Sequence, residues 1–293
     1  MDAPLSSAQA RGEAAYNARA ATPGYRDIFA RWASDSLAVR EQAVRVGRCR
    51  LDVPYGQDAT ETLDLFFPEG QAHGTLMYIH GGYWSSLDKS DASIVAPAFT
   101  QAGYVVAVVN YALCPQVGIG RIVAQMRLAA TWLQERGHQW QANPDCLFVA
   151  GHSAGAHLAA SLLVADCPDA GGELARIKGA ICVSGLYDLR PLLDVPSVRD
   201  LTGLDPMQAQ RLSPVLRQPG IDARVLTGLG TDENTGFHEQ SALFAQHWGA
   251  HHAGHVLCAG RDHFTILDEL TRHDGQIALA ALRFMSVCRE ATS

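Results

Sequence analysis

Short apolar runs alternate along most of the chain with longer segments that have the period of a helix. The run Tyr104 to Val109 is typical of a strand that is buried on both faces of a sheet. Because strands and helices alternate, the pattern predicts a doubly wound sheet flanked by helices. The predicted strands are Val44 to Val53, Thr62 to Phe67, Thr75 to His80, Tyr104 to Asn110, Leu147 to Ala150, Ala180 to Ser184, Arg224 to Thr227 and His255 to Cys258.

Segments of helical period lie between these strands, and their lengths suit right-handed crossovers between parallel strands. The first two strands bracket Pro54-Tyr55-Gly56 and are predicted to form an antiparallel hairpin at the sheet edge. The fold class is therefore α/β, with a mostly parallel eight-stranded sheet and helices on both faces. The predicted helices are Ser90 to Gln101, Ile119 to Arg136, Ala156 to Ala165, Thr235 to Gly249 and Gln276 to Arg289.

The whole chain, residues 1–293, is predicted to form a single domain with two additions. Residues 1–40 form an N-terminal helical arm, amphipathic in places because of Phe29 and Trp32. Residues 186–221 contain five prolines and scattered leucines, so they are predicted to be a small cap-like insertion over the carboxyl edge of the sheet. Such a cap would shape a pocket.

Composition narrows the class of function. Among 293 residues, 47% are hydrophobic and 18% charged, as in ordinary globular proteins, and the net charge of −7 argues against nucleic acid or an anionic membrane as partner. The N-terminus has no basic segment followed by an apolar stretch, and the longest apolar runs are too short to span a bilayer. We therefore expect a cytoplasmic protein that acts on a small-molecule substrate; its oligomeric state is not predicted.

The pentapeptide Gly151-His152-Ser153-Ala154-Gly155 lies between the apolar run Leu147 to Ala150 and a helix-like segment. A G-x-S-x-G sequence in this context is a nucleophile elbow, in which a sharp turn exposes one serine hydroxyl above the sheet. The alternative is an ordinary glycine-rich turn between a strand and a helix. The context favours an α/β-hydrolase fold and a serine hydrolase with Ser153 as nucleophile.

A serine hydroxyl needs a base, and in this fold the acid and the histidine follow the serine along the chain. His263 stands in a glycine-led loop after the last predicted strand and is the predicted base. Asp232 and Glu233 follow the preceding strand, and either can orient the imidazole. Asp188, which also follows a predicted strand, is a third candidate for the acid.

The segment His80-Gly81-Gly82-Tyr83-Trp84 follows the third predicted strand, where this fold supplies donors to a developing oxyanion. The predicted donors are the amides of Gly82, Tyr83 and Ala154. Aromatic side chains near these positions predict an aromatic-lined substrate pocket. Its predicted substrate-binding residues are Trp84, Tyr187 and Phe264.

No cofactor is expected, because the base, the nucleophile and the oxyanion donors are all protein groups. His247, His251, His252 and His255 lie close together along the chain. Glycines interrupt any continuous helix there, and no acid or cysteine completes a tetrahedral set, so no metal site is predicted. His152 and His157 flank the elbow and are predicted to make local hydrogen bonds or to fill packing space.

These motifs resemble the kynurenine formamidase (arylformamidase) branch of the α/β-hydrolases, which is related to hormone-sensitive-lipase-like esterases. The resemblance covers most of the chain, and its most specific element is the H-G-G-Y-W segment at 80–84, where general esterases usually carry a third glycine. Further similar segments are Tyr16 to Arg19, Ile28 to Trp32, Leu87 to Ser90, Val109 to Tyr111, Gly151 to Gly155, Ser184 to Leu189, Phe237 to Ser241 and Gly260 to Phe264.

The resemblance implies an acid four residues before Phe237, which selects Glu233. Residues 232–236 differ from the usual sequence of that loop in the family. Ala156 and Asp262 stand where a glycine and an asparagine are common. The implied reaction is hydrolysis of an aryl formamide such as N-formylkynurenine to formate and an aryl amine. The alternatives are a carboxylesterase for short acyl or aryl esters, with the same mechanism, and a non-catalytic binding protein of this fold.

Overall fold

One eight-stranded sheet forms the centre of the protein in a computed structural model, which describes residues 5–164 and 176–290. The strand order across the sheet is β1-β2-β4-β3-β5-β6-β7-β8. The strands are β1 Cys49–Pro54, β2 Thr62–Phe66, β3 Gly74–Ile79, β4 Tyr104–Val109, β5 Leu147–His152, β6 Ile177–Val183, β7 Arg224–Gly230 and β8 His252–Cys258.

The sheet is parallel except at one edge. β1 pairs antiparallel with β2, and β2 pairs antiparallel with β4, whereas every other pair is parallel. The predicted edge hairpin and the mostly parallel sheet are therefore confirmed. β3 and β5 lie side by side in the middle, and both are buried along their whole length. Their carboxyl ends lie at the edge where an open α/β sheet binds its ligands.

Helices occur in both terminal segments of the described chain and in the crossovers between strands. The predicted helices at Ile119 to Arg136, Thr235 to Gly249 and Gln276 to Arg289 are confirmed to within one residue. The α-helices are α1 Ser7–Tyr16, α2 Ala18–Ala21, α3 Tyr25–Arg45, α4 Ala96–Thr100, α5 Ile119–Arg136, α6 Ala154–Ser161, α7 Pro196–Thr202, α8 Pro206–Arg211, α9 Thr235–Trp248, α10 Asp268–Thr271 and α11 Gln276–Glu290.

Several predicted boundaries were wrong or incomplete; β6 and β8 begin three residues earlier, and β7 ends three residues later, than predicted. Val44 belongs to α3 and not to β1, because the helix-favouring residues before it extend the helix to Arg45 and leave Val44 exposed. The predicted helix Ser90 to Gln101 is two 3-10 turns followed by α4, which begins just before Pro97, a residue that favours the first turn of a helix. The predicted helix Ala156 to Ala165 starts earlier, at the elbow, and Ala165 lies outside the described residues.

Residues 186–221, predicted to be a cap-like insertion, form a series of short helices after β6. Pro196, Pro206 and Pro214 each stand at the first position of a short helix, where a missing amide hydrogen costs nothing. This segment packs against the N-terminal arm, where Glu13 accepts hydrogen bonds from the amide and the hydroxyl of Ser197. No helix among the described residues is long and apolar enough to cross a membrane.

Candidate active site

Ser153 occupies a sharp turn between the end of β5 and the start of α6. Its backbone has φ +56° and ψ −119°, a conformation that is costly for any residue with a side chain and that recurs at functional sites. The flanking glycines permit the turn. A Cβ at Gly151 would lie 2.2 Å from the carbonyl oxygen of Gly155, and one at Gly155 would lie 2.1 Å from that of Ile79. Only glycine fits these two positions, so the local geometry is that of a nucleophile elbow.

A hydrogen-bonded chain of three side chains ends at the Ser153 hydroxyl. The Ser153 Oγ lies 2.9 Å from Nε2 of His263, and Nδ1 of His263 lies 2.8 Å from Oε2 of Glu233. The side chains of His263 and Glu233 are 3% and 0% exposed. Residues that are 110 and 30 positions apart in the sequence thus meet beyond the carboxyl ends of three parallel strands. Such an arrangement can transfer a proton from serine to histidine while the carboxylate stabilises the imidazolium.

Glu233 is held by two further donors on its other oxygen. Its Oε1 accepts hydrogen bonds from the Ser184 hydroxyl at 2.6 Å and from the Gly230 amide at 2.8 Å. These bonds satisfy a buried carboxylate and fix the direction of Oε2 toward His263. The sequence had not identified Ser184, although its position directly after β6 places it at the same edge of the sheet.

The two other candidate acids point elsewhere. Asp232 is exposed, and its carboxylate accepts a hydrogen bond from the Thr231 hydroxyl. Asp188 is buried, but its two oxygens accept hydrogen bonds from the guanidinium of Arg190 at 2.9 and 2.7 Å. Of the three acids considered, only Glu233 contacts His263.

His152, the residue before the serine, supports the loop that carries the base. Its Nε2 donates to the carbonyl oxygen of His263 at 2.7 Å, and the two ring centres are 4.8 Å apart. Burial, followed by the proximity of the His263 ring, holds the pKa of His152 well below its usual value. His152 is therefore neutral and carries its proton on Nε2. His157 makes a hydrogen bond to the carbonyl oxygen of Leu212, 55 residues further along the chain, at 2.8 Å.

The loop after β3 brings backbone amides toward the serine. Gly82 has φ +97° and Tyr83 has φ +50°, and the hydroxyl of Tyr111 donates to the carbonyl oxygens of His80 and Gly81. Within residues 5–164 and 176–290, the amides of Gly82, Tyr83 and Ala154 donate to no protein acceptor. Ala154 is buried, and Gly82 and Tyr83 are partly exposed at the pocket. Amides without a protein acceptor beside a nucleophile can bind an oxyanion.

A narrow pocket opens above Ser153 and His263, and its wall is largely aromatic. Phe264 lines it, whereas the predictions for Trp84 and Tyr187 were wrong. Trp84 is fully buried and packs edge-on against His157, and Tyr187 is stacked on Phe244 in the core. The described residues that line the pocket are Ala18, Arg19, Phe29, Trp32, Gly82, Tyr83, Leu87, His152, Ser153, His263 and Phe264.

The N-terminal arm supplies the wall that the sequence assigned to residues 186–221. Phe29 of α3 packs edge-on against Phe264 at 5.2 Å and is stacked on Trp32 at 5.0 Å. None of the described residues between 186 and 221 lines the pocket, so the expectation that this insertion shapes it was wrong. The spacing of Phe29 and Trp32 along one helical face had indicated a buried contact but not the pocket that the contact encloses.

The four histidines near the last strand have protein partners. His252 and His255 both contact the hydroxyl of Thr227, at 2.9 and 2.8 Å. His247 and His251 each contact a backbone carbonyl oxygen. In the described part of the chain, no group of three or more histidine, cysteine, aspartate or glutamate side chains is arranged to hold a metal ion.

Comparison with known proteins gives relatives over much of the chain. The BD-FAE family matches residues 63–180. A protein of Danio rerio named kynurenine formamidase is 37% identical over 156 residues, which cover 52% of this chain and about half, 51%, of that protein. The solved structure of a candidate thioesterase from Silicibacter sp. tm1040 has a TM-score of 0.80 and 32% identity, and the match covers 90% of this chain and 96% of that one.

A longer match extends over most of the chain. The Drosophila melanogaster protein named kynurenine formamidase is 30% identical over 242 residues, and the match covers 79% of this chain and 76% of that protein. The elbow, the sheet order and these matches agree on the fold as well as on the ancestry. The chain belongs to the kynurenine formamidase family of the α/β-hydrolases.

Proposed function

We propose that this protein is a serine hydrolase that cleaves aryl formamides, of which N-formylkynurenine is the reference substrate, to formate and the aryl amine. The observation that carries the proposal is the unbroken chain of contacts from Glu233 through His263 to Ser153. The aromatic wall of the pocket suits a flat aryl group. The names of the Danio rerio and Drosophila melanogaster relatives are the reason for proposing a formamide as the substrate.

In the first half of the reaction, the Ser153 Oγ attacks the formyl carbon and its proton passes to Nε2 of His263. Glu233 stabilises the imidazolium that forms. The amides of Gly82, Tyr83 and Ala154 are the proposed donors to the tetrahedral oxyanion. His263 then gives the proton to the nitrogen of the departing aryl amine as the carbon–nitrogen bond breaks, which leaves a formyl ester on Ser153.

In the second half, water replaces the amine. His263 takes a proton from the water as its oxygen attacks the formyl ester, and the same three amides are available to the second oxyanion. Collapse of this intermediate returns the proton to Ser153 Oγ and releases formic acid, which ionises to formate in solution. The proposed reaction is a hydrolysis in which every proton moves among Ser153, His263, the substrate and water.

The competing hypothesis is a carboxylesterase, because the same side chains hydrolyse an ester, whose alkoxide leaves more easily than an amine. The test is to measure kcat/KM on N-formylkynurenine and on a series of p-nitrophenyl esters with short acyl chains. We expect the formamide to match or exceed the best ester. A preference for esters of more than about 100-fold, or about 2.7 kcal/mol, would contradict the formamidase proposal and leave the serine mechanism standing.

A further inference from the structure

One charged side chain of the N-terminal arm lines the pocket above Ser153. Arg19 belongs to α2 and is partly buried. No aspartate, glutamate or lysine among the described residues lines this pocket, so the guanidinium is its one permanent charge. A guanidinium at the wall of a pocket has five N–H donors and no acceptor, so it favours an anionic group on a bound ligand.

The contacts of Arg19 orient it without neutralising it. Its Nη2 donates to the Ser86 hydroxyl at 2.7 Å, and its guanidinium lies 5.8 Å from the ring centre of Phe29. Within the described ranges, Arg19 forms no ion pair with a carboxylate. Ser86 in turn donates to the carbonyl oxygen of Gly82 at 3.0 Å. The guanidinium is therefore fixed in position relative to the proposed oxyanion loop, with donors that are not used by any protein acid.

We propose that Arg19 binds a carboxylate of the substrate, so that the enzyme selects aryl formamides with an anionic side chain over neutral ones. This inference rests on the proposed function and adds the charge of the substrate to it. A guanidinium presents two parallel donors to a carboxylate, and the partly buried setting strengthens the pairing. An aryl formamide whose ring lies against Phe29 and Phe264 would direct an anionic side chain toward Arg19. N-formylkynurenine carries such a carboxylate.

The test uses two formamides that differ only in charge. They are 4-(2-formamidophenyl)-4-oxobutanoate and its primary amide, and the quantity measured is the ratio of their kcat/KM values. We expect the wild type to favour the carboxylate and the Arg19→Gln variant to lower the ratio by about 10- to 100-fold, the range of a hydrogen bond to a charged group. The change should fall mainly on KM, because the carboxylate is bound equally in the ground state and the transition state.

A matched control is available on the same arm. Arg26 is exposed and lies 5.2 Å from the ring centre of Tyr25, outside the pocket. Arg26→Gln removes the same charge from a similar aromatic contact and should leave the ratio within about twofold of the wild type. A wild-type ratio near one would overturn the proposal. So would an Arg19→Gln variant that loses activity equally on both formamides, because that loss would indicate a structural role.

A binding measurement tests this inference independently of the proposed function. If the wild type hydrolysed neither formamide, the formamidase proposal would fail, and calorimetry with 4-oxo-4-phenylbutanoate and its primary amide would still test Arg19. These ketones lack the formamide group, so the enzyme has no formamide bond to hydrolyse in them. A Kd for the carboxylate that rises at least tenfold in Arg19→Gln, with a smaller change for the amide, would support the anion site. Equal Kd values for the carboxylate in both proteins would overturn it.

Discussion

The Nε2 of His152 donates a hydrogen bond of 2.7 Å to the carbonyl oxygen of His263, so the residue before the nucleophile holds the backbone of the base. The low pKa of His152, caused first by burial, keeps its ring neutral and prevents it from competing for the Ser153 proton. His152 therefore positions His263 and takes no part in the proton transfer from Ser153. The side chain before Ser153 thus links the elbow to the histidine loop.

Replacing His152 by alanine should lower kcat by about 10- to 100-fold, because the His263 carbonyl loses its donor and a buried acceptor without a partner costs about 1–3 kcal/mol. His152→Gln, whose amide nitrogen can reach the same carbonyl, should recover kcat to within about fivefold of the wild type. Steady-state kinetics of both variants on N-formylkynurenine is the measurement. Equal impairment of the two variants would argue against the hydrogen bond as the cause.

The assignment of the acid predicts a large asymmetry between two neighbouring carboxylates. Glu233→Gln should lower kcat by about 10⁴-fold, because an uncharged amide stabilises neither the tautomer nor the imidazolium of His263. Asp232→Asn should change kcat by less than about tenfold, since the Asp232 side chain is exposed and its carboxylate accepts a hydrogen bond from Thr231 and not from His263. A larger loss of kcat in Asp232→Asn than in Glu233→Gln would assign the acid to Asp232.

The elbow glycines predict a loss of stability that can be measured without a substrate. Gly155→Ala would bring a Cβ to 2.1 Å from the Ile79 carbonyl oxygen, and we expect the free energy of unfolding to fall by more than about 3 kcal/mol. The control is Gly118→Ala, since nothing lies within 4 Å of a Cβ there and the change should stay below about 1 kcal/mol. Urea unfolding of both variants measures the difference. Equal, small losses would contradict the tight approach of β3 and α6.

Buried neutral histidines predict a stability that falls in mild acid. Burial lowers the pKa of His157 to about 4, whereas an unfolded histidine titrates near 6.5. Below pH 6.5 the unfolded chain binds a proton that the folded chain does not, so stability is lost as the pH falls from about 6.5 to 4. This single group accounts for about 3 kcal/mol over that range, of which about 2 is lost by pH 5.

The His157→Gln variant isolates this contribution. Glutamine keeps a donor near the Leu212 carbonyl oxygen and does not titrate. Its free energy of unfolding in urea should therefore fall less between pH 7 and pH 5 than that of the wild type, by about 2 kcal/mol. Parallel pH dependences in the two proteins would show that His157 is protonated equally in the folded and unfolded chains.

The hydrophobic pattern predicted all eight strands, most clearly those in the middle of the sheet, because parallel strands buried on both faces are short, continuous apolar runs between turn residues. It failed at Val44, because the apolar residues at the end of α3 lie close in the sequence to the alternating residues of β1. It also did not predict the short helices that start at Pro196, Pro206 and Pro214, because proline is usually a sign that a helix ends.

The site residues divide in the same way. Ser153 and His263 carry local signals, because each follows a strand in a glycine-containing turn, and the structure brings the two side chains together. Arg19 and Phe29 lie in segments that resemble the family, but nothing in these segments places them beside Ser153. Their place beside Ser153 depends on the packing of α3 against Phe264, a contact between distant parts of the chain that periodicity within one element does not report.

Trp84 illustrates the opposite error. It stands directly after the proposed oxyanion residues, and proximity in sequence suggested a place in the pocket. Its backbone has φ +56°, and its side chain is fully buried against His157. The direction of a side chain in a left-handed turn depends on backbone geometry that a pattern of residue types does not contain.

The most direct test of the account is the release of formate from N-formylkynurenine by the wild type and by Ser153→Ala, measured side by side with the appearance of the aryl amine. We predict that the wild type releases the two products in equal amounts and that Ser153→Ala lowers the rate by about 10⁴-fold or more. Formate release by Ser153→Ala at a rate near that of the wild type would contradict the serine mechanism.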